Sequence, residues 1–554
     1  MIRVLLKIFK YLLVFLVSLL ILFAGAGAFL YFTADRSIPE NTIPDVIPSP
    51  KDSLGTLIFG QSSLEKGAGG LWNLRLKGDP QERGLAFGQL CKSLMYKQEK
   101  AFVDQIKILV PNESYLSLLK YLTVIYNRNI QSNIEDEFRK EIYATSLGSS
   151  DEFNFIGDKY DRQLNYHAAH DLGHAMQEYM LVGCTSFAAW GKMSEDSSLV
   201  VARNFDFWVG DAFAENKLVT IMEPDSGYKF VSIGWAGMSG VLSGMNEEGL
   251  TITMNAAKSS PPIRSKTPIS IIAREILQYA SNIDEAFQIA SKRDAFVSES
   301  LLIGSARENR AAIIEKRPQG TRLYTTKGEL IVSTNHFLSD DFFSDPKSKD
   351  AVESIAGSHS EYRFRRIEEL VSTYAPLSIL ESASILRDPD GLSGEYLGLG
   401  NEMSINQYIA HHSVIFKPIE RIMWVSTSPW QLGKMIKYDL NELFNLPGSN
   451  LELLGDIPAD SIQIVERASL IIKFREESKY LMEETRHKKR VSDDFSNKFI
   501  SLNPNFFQTY LNLGDNYYSA GDNESAADMY KMALKLKLPS NNIKSQLENK
   551  LEKL

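Results

Sequence analysis

The chain divides into four stretches by its pattern of apolar and polar positions. Tyr11–Phe32 is a run of 22 residues without a charge, and at about 1.5 Å per residue a helix of this length spans the apolar core of a bilayer. Between Arg83 and Met180 the apolar residues recur at helical spacing. After Cys184 they form short alternating runs, which are typical of strands. Beyond Leu446 the pattern is again helical and more highly charged.

The first stretch predicts one transmembrane helix. It is preceded by the basic residues Arg3, Lys7 and Lys10. Because basic residues stay on the cytoplasmic side of a membrane, we expect the rest of the chain outside the cytoplasm, in the periplasm if the source is bacterial. A cleaved signal peptide is the competing interpretation, since the small residues within Ala24–Ala28 suit a cleavage site. The proline-rich stretch Ser37–Lys51 predicts an extended tether.

These changes of pattern predict five units along the chain. They are a transmembrane or signal anchor at 1–36, a proline-rich tether at 37–60, an α-rich pro-segment at 61–183, a catalytic domain at 184–445 and a helical domain at 446–554. The composition is that of a globular protein. A formal net charge of −9 and a pI of about 5.6 leave no basic surface of the kind that binds nucleic acid.

The stretch after Cys184 predicts an α+β fold. Strand-like runs follow one another as CTSFAAW, LVVARNF, KLVTIME, YKFVSIGW and LTITMN, separated by turn formers such as Pro224–Gly227. A helical pattern then occupies Pro268–Arg293, and the strand-like runs SLLIGSA, AAIIEKR and ELIVSTN follow. Two further helical patterns, at Tyr362–Ser372 and Leu377–Leu386, precede a final pair of strands, HHSVIFKP and RIMWVST. Strands and helices in this order favour a domain of stacked antiparallel sheets with helices packed on them.

The C-terminal helices carry the spacing of one tetratricopeptide repeat. The matching positions are Tyr510, Leu513, Gly514, Tyr517, Ala526, Tyr530, Ala533 and Pro539. Stacked repeats need about three units for stability, so two hypotheses stay open. The region is either a helical hairpin packed on the catalytic domain or a docking surface for a protein partner.

The dipeptide Gly183-Cys184 suggests a self-cleaving chain. A cysteine that becomes N-terminal carries a thiol nucleophile and its own α-amino base, whose reference pKa is about 7.7 to 8.0. Exposing that amine requires attack of the Cys184 thiol on the Gly183 carbonyl. A buried cysteine with a purely structural role is one alternative. A disulfide with Cys91, the other cysteine of the chain, is a second alternative, and it would exclude catalysis by Cys184.

Polar residues at the ends of the predicted strands strengthen the catalytic interpretation. They are Arg203 and Asp206 in ARNFDF, Asn255 at the end of LTITMN, Asn335 at the end of IVSTN and Arg363 in EYRFRR. Such groups outside the apolar alternation are where a site is assembled.

Five segments carry a resemblance to a known family: Cys184 with its following strand, RNFDF, the NEEGL turn leading to TMNAA, the STN strand end and the YRF segment. Together they resemble the N-terminal-nucleophile hydrolases of the choloylglycine hydrolase and penicillin acyltransferase superfamily. The segment GDPQERGLAFGQL resembles the opening of the pro-segment in the acyltransferase, acid-ceramidase-like branch. The resemblance covers roughly Gly78–Trp430. It implies a four-layer αββα sandwich and autocleavage at Gly183-Cys184, with neither cofactor nor catalytic metal.

The resemblance also implies a role for each matching residue. Cys184 would be the nucleophile, with Arg203 lowering its thiol pKa and Asp206 orienting the freed α-ammonium. Asn255 and Asn335 would donate to the oxyanion, and Arg363, with Arg365 and Arg366 beside it, would match the late arginine of the bile-salt branch. The implied activity is a thiol amidohydrolase or acyltransferase acting on a small-molecule linear amide.

Three alternatives remain on the sequence alone. His170 and His174, four residues apart on a predicted helix, would suit a metal site, although no third ligand follows. A papain-like hydrolase would need His412 as its base. An inactive domain would leave a membrane-tethered scaffold that binds partners through its C-terminal helices.

Overall fold

Two stacked β-sheets form the centre of the fold. The computed structural model describes residues 2–109, 120–121, 123–175, 183–257, 265–339, 355, 357–446 and 455–554. Strands are numbered in chain order, and in spatial order the eleven-stranded sheet contains β1 (Lys51–Ser53), β2 (Thr56–Phe59), β3 (Ser62–Lys66), β4 (Trp72–Gly78), β7 (Leu218–Pro224), β8 (Phe230–Gly234), β9 (Ser243–Asn246), β10 (Leu250–Ala256), β11 (Glu299–Ser305), β12 (Arg310–Arg317) and β13 (Gly320–Tyr324). The six-stranded sheet contains β14 (Leu330–Ser333), β5 (Thr185–Ala189), β6 (Val200–Asp206), β15 (Ala410–Lys417), β16 (Ile422–Ser426) and β17 (Met435–Asp439).

Helices cover the outer faces of both sheets and build the two ends of the chain. In the part of the chain that the structure describes, the α-helices of five residues or more with defined bounds are α1 (Ile2–Phe32), α2 (Pro80–Leu90), α3 (Lys92–Leu109), α4 (Asp136–Ser146), α5 (Lys159–Ala175), α6 (Ile269–Tyr279), α7 (Ile283–Lys292), α8 (His359–Tyr374), α9 (Ile379–Leu386), α10 (Leu440–Phe444), α11 (Ser469–Arg486), α12 (Asp493–Leu502), α13 (Phe507–Ser519), α14 (Asn523–Leu534) and α15 (Asn541–Glu552).

The alternation of side chains along β6 shows why the layers form. Val201 faces the core between the two sheets, whereas Val200 and Ala202 face α8 and α9. Both faces are buried along the whole strand. Its first three residues are apolar, and Arg203, Asn204 and Asp206 follow as buried polar side chains. On the other side, α6 and α7 pack on the eleven-stranded sheet. The predicted mixed fold of helices on stacked sheets is confirmed, and the layers follow the order helix, sheet, sheet, helix.

The N-terminal part of the chain is not a separate helical unit. Strands β1–β4 belong to the eleven-stranded sheet, and β4 pairs in parallel with β7 from Trp72↔Leu218 to Gly78↔Pro224. Strands β1 and β2 lie within 37–60, where a tether is predicted, so that prediction is wrong beyond about Pro50. The proline-rich pattern of Ser37–Lys51 did not indicate that strands β1 and β2 follow it.

The residues after α1 also contact the globule instead of spacing it from the membrane. Arg36 donates to Asp161 Oδ2 at 2.7 Å, and Thr42 donates through its backbone N–H to Gln81 Oε1 at 2.9 Å. Lys7–Phe32 is long and apolar enough to cross a membrane, and none of its most apolar window is buried in the fold. A signal sequence meets the same criteria.

The C-terminal helices pack on the part of the chain that forms the two sheets. Phe474 and Phe506 share one apolar cluster with Tyr408 and Trp430, and Asn503 accepts from the Leu399 N–H and donates to its carbonyl at 2.9 and 2.8 Å. This agrees with the hypothesis of a packed helical region. The tetratricopeptide comparison and the docking surface stay predictions.

A buried ion cluster joins α2 and α4 to α6. Glu141 accepts from Arg83 at 2.8 Å and from Arg274 at 3.3 Å, and all three side chains are 1% exposed. Gly84 and Gly88 allow this close crossing, because a Cβ at either would meet backbone carbonyls of α4. The cluster links the N-terminal part of the chain to α6, which packs on the eleven-stranded sheet. Each buried charge in it is stabilised by a partner of opposite charge.

We expect Glu141→Gln to lower the free energy of unfolding by about 3–5 kcal/mol, because two buried guanidinium groups would lose their carboxylate. Denaturant titration of the purified chain in detergent measures this. The exposed ion pair of Lys100 with Asp104 supplies the control, since Asp104→Asn should change little. Equal effects of the two variants would contradict the role of the cluster.

Candidate active site

The pairing of β5 with β6 positions Cys184. Ser186 lies opposite Arg203 and Thr185 opposite Asn204, and the Gly183 N–H continues the ladder by donating to the Asp206 carbonyl at 3.2 Å. Side chains two residues apart share a face of a strand, so Cys184 and Arg203 lie on the same face. Cys184 is fully buried.

Arg203 is held rigidly beside the thiol. Its Nη2 lies 3.8 Å from Cys184 Sγ, and its Nη1 donates to the Leu242 carbonyl at 2.9 Å. It also donates to Ser243 Oγ and to the Met254 carbonyl. The guanidinium carbon lies 4.4 Å from the centroid of the Phe205 ring. Backbone carbonyls and an aromatic face thus orient one fixed charge toward Cys184.

The thiol pKa is nevertheless raised in the uncut chain. Burial raises the pKa of Cys184 to about 11, and the charge of Arg203 opposes this without overcoming it. Arg203 acts on the Cys184 pKa in the predicted direction, but in the uncut chain desolvation of the thiolate outweighs it. Cys184 is a protonated thiol at neutral pH in this state.

Asp206 is buried without a counter-charge in contact. Neither carboxyl oxygen has a hydrogen-bond partner within the described part of the chain. Burial raises its pKa to about 8, although Arg363 and Arg203 act in the opposite direction. An unpartnered buried carboxyl is costly, so its position next to Cys184 needs a functional explanation.

Arg363 connects α8 to the Gly183-Cys184 segment. Its Nη1 donates to the Cys184 carbonyl at 2.7 Å and to the Gly183 carbonyl at 3.2 Å. Arg365 instead pairs with Glu361 at the surface. The other partners of Arg363 are Thr185 Oγ1, Asn335 Oδ1, the Glu402 carbonyl and His359 Nδ1, at 2.7, 2.7, 3.0 and 3.2 Å. Among the three neighbouring arginines, Arg363 is the one that contacts the segment.

Asn255 and Asn335 lie near this segment but donate elsewhere. Asn255 Nδ2 donates to the Ser333 carbonyl at 2.8 Å, and Asn335 Nδ2 donates to the Ala256 carbonyl at 2.9 Å. Asn255 Oδ1 also accepts from Ser186 Oγ at 2.9 Å. These bonds tie β10 to β14 and β5. The predicted oxyanion role of both amides stays a prediction, and their observed contacts connect the two sheets.

Sequence reasoning missed Gln407. Its Nε2 donates to the Gly183 carbonyl at 3.1 Å, and the side chain is 2% exposed. A single glutamine in the irregular stretch NEMSINQY has no periodicity or motif around it. The contact spans 224 residues of sequence, so one sequence alone carries no signal for it.

The other candidates from the sequence have no contact with Gly183 or Cys184 among the described hydrogen bonds. Cys91 and Cys184 are both free, so the predicted alternative of a disulfide between them is wrong. His412 Nε2 bonds to Ser243 Oγ at 2.9 Å, and burial lowers its pKa far below the usual range, with His411 contributing. The side chains of His170 and His174 lie outside the described residues. The described part of the chain contains no cluster of three metal-binding side chains.

An apolar pocket includes Phe207, which follows Asp206 directly in the chain. Phe207, Phe213 and Trp235 from the part after Cys184 line it together with Met95 and Phe102 from α3. Phe205, Phe207 and Trp235 have nearly parallel rings 5.6 to 6.4 Å apart. Both parts of the chain contribute walls, so the pocket exists only while they are packed together.

Residues 193–428 match the family model of acyl-coenzyme A:6-aminopenicillanic acid acyl-transferase. The predicted family resemblance is confirmed. The match to this acyltransferase family contains Arg203, Asp206, Asn255, Asn335 and Arg363 and begins after Cys184.

Curated relatives of this acyltransferase-like chain are distant. An uncharacterized protein of Archaeoglobus fulgidus is 24% identical over 311 residues, covering 50% of this chain and 51% of the relative. Protein dcd1A of Dictyostelium discoideum is 22% identical over 398 residues, covering 67% and 85%. The chain therefore spans about half the length of the archaeal relative.

Solved structures similar to the chain include two hydrolases. The Caenorhabditis elegans ortholog of N-acylethanolamine-hydrolyzing acid amidase is 14% identical, with a TM-score of 0.31, 43% of this chain and 93% of that chain covered. Penicillin V acylase from Agrobacterium tumefaciens is 16% identical, with a TM-score of 0.32 and coverage of 47% and 87%.

We expect Asp206→Asn to remove part of the pH dependence of stability in an uncut Cys184→Ala chain. Between about pH 4 and pH 8 the folded chain keeps a proton on Asp206 that the unfolded chain loses, so stability falls as pH rises through this window. Thermal unfolding midpoints at pH 5 and pH 8 measure the difference, which should shrink in the variant. The exposed Asp225 provides a control, and an equal change in Asp225→Asn would contradict the assignment.

Proposed function

We propose that this protein is a self-processing thiol amidohydrolase or acyltransferase, which cuts its own Gly183-Cys184 bond and then uses Cys184 on a non-peptide acyl-amide. The observation that carries the proposal is the convergence on one dipeptide. The Gly183 carbonyl accepts hydrogen bonds from Arg363, the Cys184 thiol lies 3.8 Å from Arg203, and the Asp206 carboxyl next to them lacks a partner within the described residues.

Self-cleavage explains the unpartnered carboxyl. In the uncut chain the nitrogen of Cys184 is a neutral amide. Once the bond is cut, that nitrogen becomes an α-ammonium group with a positive charge, which the buried Asp206 carboxylate would bind and orient. The pKa of Asp206 should then fall, because an adjacent positive charge favours the ionised carboxylate.

The mature enzyme would use one residue as nucleophile and base. The α-amine of Cys184 takes the thiol proton, and the thiolate attacks the carbonyl carbon of an acyl-amide. The amine of the substrate leaves with that proton, and an acyl-thioester remains on Cys184. Water or a second amine resolves the thioester, which distinguishes hydrolysis from acyl transfer.

The apolar pocket that includes Phe207 suits the acyl part of a small-molecule substrate. Its walls are mainly the side chains of Phe102, Phe207, Phe213 and Trp235, and such surfaces bind apolar groups while leaving polar recognition to the reacting bond. The N-terminal helix would anchor the enzyme to a membrane, with the catalytic part outside the cytoplasm.

We expect the purified wild-type chain to run as two fragments on a denaturing gel, divided at Gly183-Cys184, and Cys184→Ala to remain whole. N-terminal sequencing of the larger fragment should begin at Cys184. Cys91→Ala is the matched control, because Cys91 is equally buried and has no proposed role. An uncut wild-type chain, or an uncut Cys91→Ala variant beside a cut wild type, would contradict the proposal.

We also expect the two fragments to stay together after cleavage, because β4 pairs with β7 and Glu141 bonds to Arg274 across the cut. Size-exclusion chromatography in detergent should give one peak that contains both fragments, and denaturant should separate them. Fragments that elute separately without denaturant would contradict this expectation.

A further inference from the structure

We propose that Gln407 is a catalytic residue of the self-cleavage, donating to the Gly183 carbonyl oxygen as negative charge develops on it, and that the C-terminal helical region holds Gln407 in place. This inference rests on the proposed function. It assigns a role to a side chain without any sequence motif, and it gives the region after residue 455 a part in activation.

Two buried donors already meet at the scissile carbonyl. Gln407 Nε2 lies 3.1 Å and Arg363 Nη1 lies 3.2 Å from the Gly183 oxygen, and both side chains are almost fully buried. Donors fixed in advance around a carbonyl stabilise the oxyanion more than water does, because they need no reorganisation when the charge appears. Arg363 also bonds to five other groups. The amide nitrogen of Gln407 bonds to the Gly183 carbonyl.

The residue type at position 183 follows from the same contact. A Cβ added to Gly183 would lie 2.5 Å from Gln407 Nε2 and 2.8 Å from its Oε1. The backbone of Gly183 is not in the left-handed region, so conformational freedom does not require glycine here. A Cβ would instead displace the Gln407 amide, the far end of a flexible side chain, from the Gly183 carbonyl.

Both chain neighbours of Gln407 are fixed by residues after position 455. Gln463 Oε1 accepts from the Tyr408 hydroxyl at 3.0 Å and from Asn406 Nδ2 at 3.2 Å. Arg475 Nη2 donates to the Tyr408 carbonyl at 2.6 Å. Tyr408 has a φ of +54°, a conformation that a bulky residue keeps only when its surroundings impose it. The C-terminal region thus imposes the backbone that points Gln407 at Gly183.

The proposed step balances without a co-reactant other than water. The Cys184 sulfur bonds to the Gly183 carbonyl carbon, and the π electron pair moves to the oxygen that Gln407 and Arg363 bind. Collapse breaks the bond from carbon to the Cys184 nitrogen, which takes up the thiol proton and becomes the α-amine. Water then hydrolyses the thioester, which restores the thiol and leaves a Gly183 carboxylate.

The test is a time course of precursor cleavage after cell-free synthesis of the full chain in lipid nanodiscs. Gln407→Met keeps the length of the side chain but removes the donor, and cleavage should slow by roughly 10²–10³-fold, as for loss of one oxyanion donor. Gln131→Met is the matched control. Gln131 is equally buried and donates to the Asp35 carbonyl at 3.1 Å, far from the cut. Its variant should be cleaved at the wild-type rate.

A second comparison separates catalysis from folding. Gln407→Met should lower the unfolding midpoint no more than Gln131→Met, each in the Cys184→Ala chain, because both replace an almost fully buried amide and Gln131 bonds to the Asp35 carbonyl and the Tyr160 hydroxyl. Gly183→Ala should also slow cleavage, since it displaces the Gln407 amide. Combining Gly183→Ala with Gln407→Met should add little further slowing. Fully additive effects, or cleavage of Gln407→Met at the wild-type rate, would overturn the role of Gln407.

Support by the C-terminal helices has its own variant. Gln463→Met removes both acceptor contacts of Gln463 and should slow cleavage by roughly tenfold or more, because a displacement of about 1 Å at a reacting group costs rate. Cleavage of Gln463→Met at the wild-type rate would overturn this part. If the wild-type chain itself stays whole under the same conditions, the proposed function fails; if the wild type is cut and Gln407→Met is cut equally fast, only the role of Gln407 fails.

Discussion

The antiparallel pairing of β5 with β6 is the constraint on which the site depends. It places Cys184 beside Arg203 and lets the Gly183 N–H bond to the Asp206 carbonyl. A shift by one residue would turn every side chain of β5 to the opposite face. Because both faces of this sheet are buried between layers, such a shift would disrupt two apolar cores at once. The packing of the whole domain therefore fixes the position of the Gly183-Cys184 dipeptide.

Most residues around Cys184 could be predicted because they belong to strand ends within a recognisable order of motifs. Arg203, Asp206 and Arg363 lie where that order places them. The pKa of Cys184 could not be predicted, because the balance of burial against the charge of Arg203 depends on three-dimensional enclosure. Gln407 could not be found either, since its contact joins two distant and irregular parts of the chain.

Strands β1 to β4, which lie between α1 and α2, could not be predicted from the sequence for a different reason. Short strands such as β1 and β2 carry few residues, and four prolines shortly before them indicate extended polar chain. Strand β4 becomes part of the sheet through a parallel partner about 145 residues later, and local patterns do not report such pairing. The helical region after residue 446, in contrast, was visible from its periodicity because helices are local structures.

Several buried groups at the site depart from what stability alone would select. Asp206 has no hydrogen-bond partner within the described residues, and Cys184 has a raised pKa next to a buried guanidinium. Local rules of folding are commonly broken at functional sites and offset by the surrounding structure.

The parallel pair of β4 and β7 has a consequence for the chain as a folding unit. Strand β7 is apolar and buried along most of its length, and β4 is what covers its open side. A chain synthesised from Cys184 onward would present β7 as an exposed sheet edge, which is a template for pairing with other chains. The N-terminal part therefore protects the eleven-stranded sheet from self-association. This protection continues after any cut at Gly183.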